Sequence, residues 1–353
     1  MAHLQLILAP PAKIFSFTLP NKYSIISIRR EFDPSQFIHE ALMKMGYNSR
    51  YLIDALEDSN LATFERVGVL AHPSRSNTAL LAERIADSLR QRSLDVWVFT
   101  DWNADRIRPH VKDSDMVVAI GGDGAMLHTA RVCAPLGVPI FGLNAGYLGF
   151  LTESSPEYWE ASLGRVLDGD YWVEERMMIM GEIWQGGICI AIDEALNDVV
   201  ISRGAVARSV HLETFINDTW TTTYNADGLI IATPTGSTAY ALATGGPILP
   251  PDLRNILVTP VAPHLSMDRS LVLSENSVIK VVVAPRNSAP EVVVTVDGEA
   301  IAQIGVDDSV IIRASQKTSR FIRLREKGYF FRSLLDRLEP KLVSRSQRDS
   351  TNQ

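Results

Sequence analysis

The alternation of short apolar strands with helices between residues 66 and 143 constrains the fold of this chain more than any other feature. In the first helical stretch, Leu81, Ile85 and Leu89 recur every four residues, as on one face of a helix. Strands that alternate with helices predict a parallel sheet with helices on both of its faces. Four apolar runs have the length of a strand: Val67–Ala71, Val96–Phe99, Met116–Ile120 and Pro139–Leu143.

The pattern changes after about Ser155, where one helical segment, Tyr158–Leu167, is followed by period-two sequences. Apolar and polar residues alternate from Val210 to Ile216, Asn217-Asp218 offers a turn, and Trp220–Tyr224 returns as a strand. We therefore expect an α/β N-terminal domain followed by a β-rich, mainly antiparallel C-terminal domain.

The predicted division starts with an unassigned N-terminal extension over 1–65. An α/β domain covers 66–155 and a β-rich domain covers 156–325. An amphipathic helix over 326–340 follows, with Phe330, Phe331 and Leu334 on its apolar face. Such a helix needs a surface to pack on, and the polar residues 341–353 are predicted to be a disordered tail.

Composition excludes several classes of function. The 353-residue chain has a net charge of −7 and no run of Lys or Arg, which argues against a nucleic-acid partner. It has no apolar span near 20 residues, so we expect no membrane segment. Its two cysteines lack the spacing of zinc ligands and fit a reducing cytoplasm. A small molecule is the expected partner.

A glycine turn, Gly121-Gly122-Asp123-Gly124, lies between the apolar run that ends at Ile120 and the helix predicted over Ala125–Ala134. Glycines let backbone N–H groups approach phosphates closely. A carboxylate in the same turn would repel phosphates, so Asp123 is better suited to hold a hydroxyl or a metal ion. Transfer of a phosphoryl group to an alcohol needs both features. The alternative is an ordinary strand-to-helix connection with Asp123 as its cap.

The segment 227–240 places an apolar strand before a loop of small hydroxyl residues and a helix predicted over Ala239–Thr244. Backbone N–H groups at such a helix start can bind an anion, and Thr235, Ser237 and Thr238 can cap the helix or bond a ligand. No lysine follows Gly236, so the loop is not a Walker P-loop. A capped turn is the alternative.

Two further polar sites stand out. Asn197-Asp198 interrupts an apolar strand predicted over Ala195–Ile201, which is costly unless something bonds these side chains. A turn position or a ligand's hydroxyl and amide groups would satisfy them. Asp297-Gly298-Glu299 by itself predicts a hairpin turn.

Taken in order, these segments resemble the NAD kinase family over about residues 67–310. The resemblance rests on GGDG at 121–124, LNDVVISRG at 196–204, DGLIIATPTGSTAY at 227–240, GGPILPPDL at 245–253, TPVAPH at 259–264 and VDGE at 296–299. It implies a kinase that transfers the terminal phosphate of ATP or polyphosphate to the 2′-hydroxyl of the adenosine ribose of NAD, giving NADP. It also implies a last helix that returns to the first domain, a divalent metal such as Mg²⁺, a homodimer or homotetramer, and a cytoplasmic location.

The resemblance also implies site residues. Asp123 falls on the family's proton acceptor, and Ala125 and His128 stand where Thr and Arg are common. The predicted nucleotide contacts are Gly121, Gly122, Gly124, His128, Asn197, Asp198, Arg208, Asp227, Thr235, Gly236, Ser237, Thr238, Ala239, Tyr240, Ala243 and Glu299. The metal ligands stay unassigned.

Two alternatives remain at this point. A lipid or sugar kinase could share the glycine turn, and it would not bind NAD. A non-catalytic NAD(P)-binding regulator derived from such a kinase would keep Asn197 and Thr238 but is expected to lose Asp123, which this chain retains.

Overall fold

The computed structural model describes residues 64–72, 76–145, 149–204, 209–285 and 291–338. Two β-sheets organise these residues, one of ten strands and one of six. Residues 1–63 of the N-terminal extension, the polar tail and the predicted contact Arg208 lie outside the described residues. Among the described residues, no helix combines the length and the apolarity that crossing a bilayer requires.

The first four strands form the parallel part of the ten-stranded sheet, in the order β2-β1-β3-β4. β3 and β4 are buried along their whole length, which explains why their sequences are apolar runs and not alternating patterns. The predicted parallel sheet is confirmed. Its strands are β1 Arg66–Ala71, β2 Asp95–Phe99, β3 Met116–Gly121 and β4 Ile140–Asn144.

Helices cover both faces of these strands, as predicted. Leu81 and Ile85 of α1 share one core cluster with Trp159 of α4. Ile107 of α2 and Met126 of α3 belong to a second cluster, which contains other residues of the same strands. The helices are α1 Ser76–Gln91, α2 Ala104–Val111, α3 Asp123–Cys133 and α4 Trp159–Leu167.

The long strand β16, Ser309–Arg323, joins the parallel strands to the antiparallel ones. It pairs in parallel with β4 at Phe321 and Ile140, and antiparallel with β5 and β13. One continuous sheet therefore contains strands from both sides of the predicted boundary between residues 155 and 156. The domain division stays a prediction. The remaining strands of this sheet are β5 Trp172–Gln185, β6 Ile188–Ala195, β8 Val210–Ile216, β9 Thr219–Ala226 and β13 Ile279–Val283.

The predicted hairpin at Asn217-Asp218 joins β8 to β9. Both turn residues have positive φ, at 49° and 62°, which suits the short turns that match the twist of a hairpin.

The second sheet is antiparallel throughout, in the order β12-β11-β10-β7-β14-β15. The single strand predicted over Ala195–Ile201 is wrong, because β6 ends at Ala195 and β7 begins at Asp198 in the other sheet. A bend at Leu196-Asn197 carries the chain between the two sheets. The strands are β7 Asp198–Arg203, β10 Gly228–Ala232, β11 Asn255–Val261, β12 Leu271–Ser274, β14 Val292–Val296 and β15 Glu299–Ile304.

Two helices complete the described fold: α5, Tyr240–Ala243, and α6, Tyr329–Leu338. The ring of Phe330 in α6 lies 6.1 Å from that of Phe150, in the segment after β4. The predicted return of the C-terminal helix to the first domain is therefore confirmed, and α6 also buries Tyr329, whose hydroxyl bonds Arg176 and Glu174 of β5.

Candidate active site

The glycine turn lies at the carboxyl edge of the parallel strands, where ligands bind in open α/β sheets. Gly121 is the last residue of β3, and Asp123 is the first residue of α3. The N-cap residue is Gly122, and it makes no side-chain cap bond, so Asp123 is not the cap that the alternative interpretation required. The half-buried carboxylate of Asp123 thus sits at the positive end of the helix dipole.

The loop after β4 orients the carboxylate of Asp123. The backbone N–H of Phe150 donates to Oδ2 at 2.9 Å, and that of Leu151 donates to Oδ1 at 3.1 Å. A Cβ atom added to Gly149 would lie 1.8 Å from Oδ1, so only glycine leaves the carboxylate its place. The sequence analysis assigned no function to this loop, although its glycine and its position after a buried strand are apparent in the sequence.

The glycines of the turn differ in their surroundings. A Cβ on Gly121 would lie 2.3 Å from the Cβ of Ala125, so Gly121 is needed for packing. Added Cβ atoms at Gly122 and Gly124 would meet nothing within 4 Å among the described residues. Open space beside these two residues suits the predicted approach of a phosphate.

His128, one turn further along α3, lies in a polar cluster with Glu299. Its Nδ1 lies 3.1 Å from Oε1 of Glu299, and its ring stacks on Trp102 at 5.2 Å. Arg131 pairs with the same Glu299 and donates to the carbonyl of Val296 at 3.1 Å. The structure thus brings together two predicted contacts, His128 and Glu299, that lie far apart in the sequence.

Asp297 holds the bend that contains Asn197. Its carboxylate accepts the N–H groups of Leu196, Asn197 and Asp198 at 2.9, 2.7 and 3.1 Å. The side chain of Asn197 has no hydrogen bond to any residue that the structure describes, so its amide is available to a ligand. Sequence reasoning treated Asp297 as a turn residue and missed this function. The signal was its place in VDGE, beside a predicted contact.

Asp198, which is buried, and Asp297, which is half-buried, form an acidic pair. Burial, together with the charge of Asp297, raises the pKa of Asp198 to about 7. Burial also raises the pKa of Asp297, against the opposing effect of its three backbone hydrogen bonds and of Arg131. Asp198 therefore carries a proton in a substantial fraction of molecules at neutral pH, and a protonated carboxyl can donate a hydrogen bond.

The segment after β10 packs against the Asn197 bend. A Cβ on Gly236 would lie 2.0 Å from the carbonyl oxygen of Asn197, so this contact requires glycine. Thr233 fixes the same region, since its hydroxyl donates to the carbonyl of Leu196 at 2.5 Å. The predicted helix over Ala239–Thr244 is shorter than expected, because a 3₁₀ turn over 236–238 precedes the four-residue α5.

The hydroxyls of this segment serve different ends. Ser237 is buried, donates to the carbonyl of Pro234 at 2.7 Å and accepts the N–H of Leu249 at 2.9 Å. Thr235 is also buried, and its hydroxyl accepts a bond from Arg176 at 3.2 Å. Thr238 is half-buried, and Tyr240 and Ala243 are exposed. Contacts of Thr235, Ser237, Thr238, Ala239, Tyr240 and Ala243 with a nucleotide stay predictions.

Asp227 lies just before β10, beside Arg203 at the end of β7. The guanidinium of Arg203 donates to Oδ2 of Asp227 at 3.0 Å, and both side chains are about one-third exposed. The pair can present a carboxylate to a ligand while holding it in place.

Comparison with known proteins identifies the family. The family model described as the ATP-NAD kinase N-terminal domain matches residues 51–171, and that of the ATP-NAD kinase C-terminal domain matches 196–324. An NAD kinase of Dehalococcoides mccartyi is 36% identical over 283 residues, which cover 78% of this chain and 96% of that protein. An NAD kinase of Heliobacterium modesticaldum is 38% identical over 280 residues, covering 77% and 98%. This chain belongs to the NAD kinase family.

Solved structures agree on the fold of this NAD kinase family member. The yeast NADH kinase complexed with NADH has a TM-score of 0.70 at 24% identity, covering 78% of this chain and 87% of that one. An NAD kinase from Archaeoglobus fulgidus in complex with ATP has a TM-score of 0.62 at 24% identity, covering 77% and 97%.

Family membership also decides against the alternative of a lipid or sugar kinase. The match to NAD kinase models extends over both halves of the chain, far beyond the glycine turn on which the lipid or sugar kinase alternative rested. The predicted class of enzyme, an NAD kinase, is confirmed.

Proposed function

We propose that Asp123 is the general base in the transfer of the terminal phosphate of ATP to the 2′-hydroxyl of the adenosine ribose of NAD. The observation that carries this proposal is the position of its carboxylate. It lies at the carboxyl edge of the parallel strands, with each oxygen held by one backbone N–H and with no described residue within 4 Å of a Cβ atom added to Gly122 or Gly124.

In the proposed reaction, the 2′-oxygen forms a bond to the terminal phosphorus of ATP while the bond from that phosphorus to the bridging oxygen breaks. Asp123 takes the hydroxyl proton, and ADP leaves with the electron pair of the broken bond. A general base of this kind contributes roughly 10²–10⁴-fold. Positioning of the two nucleotides and stabilisation of the phosphate charge must supply the remainder.

NAD is proposed to lie along the Asn197 bend and the segment Thr238–Tyr240. The side-chain amide of Asn197 and the carboxyl of Asp198 can bond its hydroxyl or amide groups. The turn at Asp297 supports this assignment, because it holds the bend through three hydrogen bonds and also adjoins α3, which begins with Asp123.

The requirement for Mg²⁺ also belongs to the proposal. The described residues contain no group of three or more His, Cys, Asp or Glu side chains that could hold a metal ion. A cage made by these side chains does not fit, so no step here depends on a protein-held metal. Mg²⁺ commonly binds through one or two carboxylates together with substrate phosphates.

Polyphosphate in place of ATP, a homodimer or homotetramer, and a cytoplasmic location complete the proposal. They rest on the family resemblance alone. Nucleic acids and membranes are not among the proposed partners.

Formation of NADP from NAD, ATP and Mg²⁺ tests the function, and the variant Asp123→Asn tests the base. We expect kcat to fall by roughly 10²–10⁴-fold, while calorimetry shows NAD binding close to that of the parent. Asp168→Asn is the matched control, because Asp168 is an exposed residue at the end of α4. A turnover near the parent value in Asp123→Asn would refute the assignment.

A further inference from the structure

Two arginines near the end of β16 have no place in the reaction described so far. The side chain of Arg323 is fully buried, and that of Arg325 is about one-quarter exposed. Burying a guanidinium is costly, because the charge loses its hydration and must find partners inside the protein. The partners of these two residues therefore indicate which part of the structure the two guanidinium groups hold in place.

Arg323 reaches the loop that orients Asp123. Its Nη1 donates to the carbonyl of Leu151 at 2.9 Å and lies 3.3 Å from Oε2 of Glu153, and its Nε donates to Glu174 at 2.8 Å. Burial alone would lower the pKa of Arg323, but electrostatic interactions with its neighbours Tyr329, Glu174 and Glu153 outweigh burial and raise it. The guanidinium thus stays charged, with Nη1 directed at the loop and Nε at Glu174 on β5.

Arg325 binds the next carbonyl of the same loop. Its Nη2 donates to the carbonyl of Thr152 at 2.6 Å, and its Nε and Nη2 donate to Glu153 at 3.1 and 3.0 Å. The side chain of Glu153 is fully buried and also accepts the N–H groups of Leu324 and Arg325, both at 2.8 Å. The end of β16 and the loop are therefore tied together from both sides.

These contacts meet the Asp123 contacts in successive peptide groups. The N–H groups of Phe150 and Leu151 point to the carboxylate, while the carbonyls of Leu151 and Thr152 point to the arginines. Asp123 and Arg323 thus bond opposite sides of Leu151, its N–H and its carbonyl, and Arg325 restrains the peptide group that follows.

We propose that Arg323 and Arg325 are positioning residues for the kinase reaction, because they hold the loop 149–152 so that its N–H groups fix the carboxylate of Asp123. This inference rests on the proposed function of Asp123 as the base. Neither arginine needs to touch a nucleotide. Their effect passes through the peptide groups of the loop, and it acts on the orientation of the base and not on substrate binding.

The fork of arginine matters in this arrangement. Arg325 uses two nitrogens to span a backbone carbonyl and a carboxylate, which one ammonium group cannot reproduce in the same geometry. Arg325→Lys therefore keeps the charge beside Glu153 but loosens the hold on Thr152. It is also the gentler variant, because Arg325 retains contact with solvent whereas Arg323 is enclosed.

The experiment compares Arg325→Lys with Arg313→Lys in the full-length enzyme. Arg313 lies on the same strand and pairs with Glu182 on β5, away from the loop. We expect kcat of Arg325→Lys to fall about 10- to 100-fold, because a small displacement of a reacting group has that effect. The KM values for NAD and ATP should stay within about twofold, and Arg313→Lys should match the parent in every constant.

A double-mutant cycle separates positioning from general damage. In an Asp123→Asn background, measured in long single-turnover incubations, Arg325→Lys should change the residual rate by less than about twofold, because the group that it positions is gone. An equal fall in both backgrounds would overturn the proposal, and so would a kcat of Arg325→Lys within about twofold of the parent.

Failure of the proposed base looks different from failure of this inference. If Asp123→Asn turns over like the parent, the proposed function of Asp123 is wrong. If Asp123→Asn is slow while Arg325→Lys is normal, only the positioning inference is wrong. Circular dichroism and thermal melting of Arg325→Lys establish that a slow enzyme is a folded one.

Discussion

Asp123 and Asp297 show the same device in two different environments. Each carboxylate accepts backbone N–H groups from a neighbouring loop, two for Asp123 and three for Asp297. Both residues are half-buried, but Asp123 lies at the start of a helix, whereas Asp297 lies in a turn beside a second carboxyl, that of Asp198. The comparison teaches that backbone donors can either present a carboxylate for reaction or use it to hold a bend.

The largest expected effect is on kcat, and it tests whether the orientation of Asp123 is needed for turnover. In Gly149→Ala the new methyl group would occupy the place of Oδ1 of Asp123, so the carboxylate must move. We expect kcat to fall about 100-fold, with the fold retained. Gly164→Ala on α4 is the control, since its Cβ would meet only the end of Arg92, at 3.9 Å. A kcat for Gly149→Ala equal to that of Gly164→Ala would show that the orientation of Asp123 does not matter.

A second change tests Asp297, whose carboxylate holds the bend at Leu196-Asn197. Asp297→Asn keeps a residue type that tolerates the positive φ of 49° at this position, but it turns one acceptor into a donor facing an N–H group. We expect the free energy of unfolding to fall by about 2 kcal/mol in urea titrations.

Asp218→Asn is the control for Asp297→Asn. Asp218 is an exposed hairpin residue with φ of 62°, and its replacement should change stability by less than about 0.5 kcal/mol. Equal losses of stability in the two variants would mean that the loss comes from replacing a turn residue and not from weakening the three hydrogen bonds of Asp297.

The smallest expected effect is on the pH dependence of the free energy of unfolding, and it concerns Asp198, the neighbour of Asp297. Because the pKa of Asp198 is raised to about 7, the folded protein binds a proton that the unfolded chain releases near its ordinary value of ~3.9. The stabilisation is complete below that ordinary value and is lost as the pH rises through 7. Between pH 6 and 8 the parent should lose about 1 kcal/mol more than Asp198→Asn, which has no proton to lose.

Parallel urea titrations of both proteins at pH 6, 7 and 8 check this expectation. The difference between parent and variant reports Asp198 together with its effect on the neighbouring Asp297, because the remaining titrating groups are common to both. An identical pH dependence would show that Asp198 is not the group that titrates.

Much of the fold was predictable because its signals are local. Buried parallel strands give apolar runs, and the helices on them repeat their apolar residues at helical spacing, so β1 to β4 and α1 followed from the sequence. The turn at Asn217-Asp218 was predictable because few residue types accept two positive φ angles in succession. The C-terminal helix was predictable from its apolar face, and its need for a partner is met at Phe150.

The site was predictable in part. Asp123, Asn197 and Asp198 lie in motifs with a recognisable order, and the structure places them at strand ends and in a bend. The break at Leu196-Asn197 was not predictable, because the apolar character continues across it while the chain moves from one sheet to the other. The loop 149–152 and Asp297 also went unrecognised, since their function lies in backbone contacts with residues distant in sequence.

The sequence alone determined the family, the order of strands and helices, and the carboxylate at the edge of the parallel sheet. Those features depend on side-chain type and spacing along a single stretch of chain. Only the tertiary structure decided which distant groups orient that carboxylate and how β16 joins parallel to antiparallel strands. It alone also shows that Arg323 and Arg325 bond the loop 149–152. Long-range hydrogen bonds between backbone groups and side chains depend on folded geometry, and they leave no periodic pattern in the sequence.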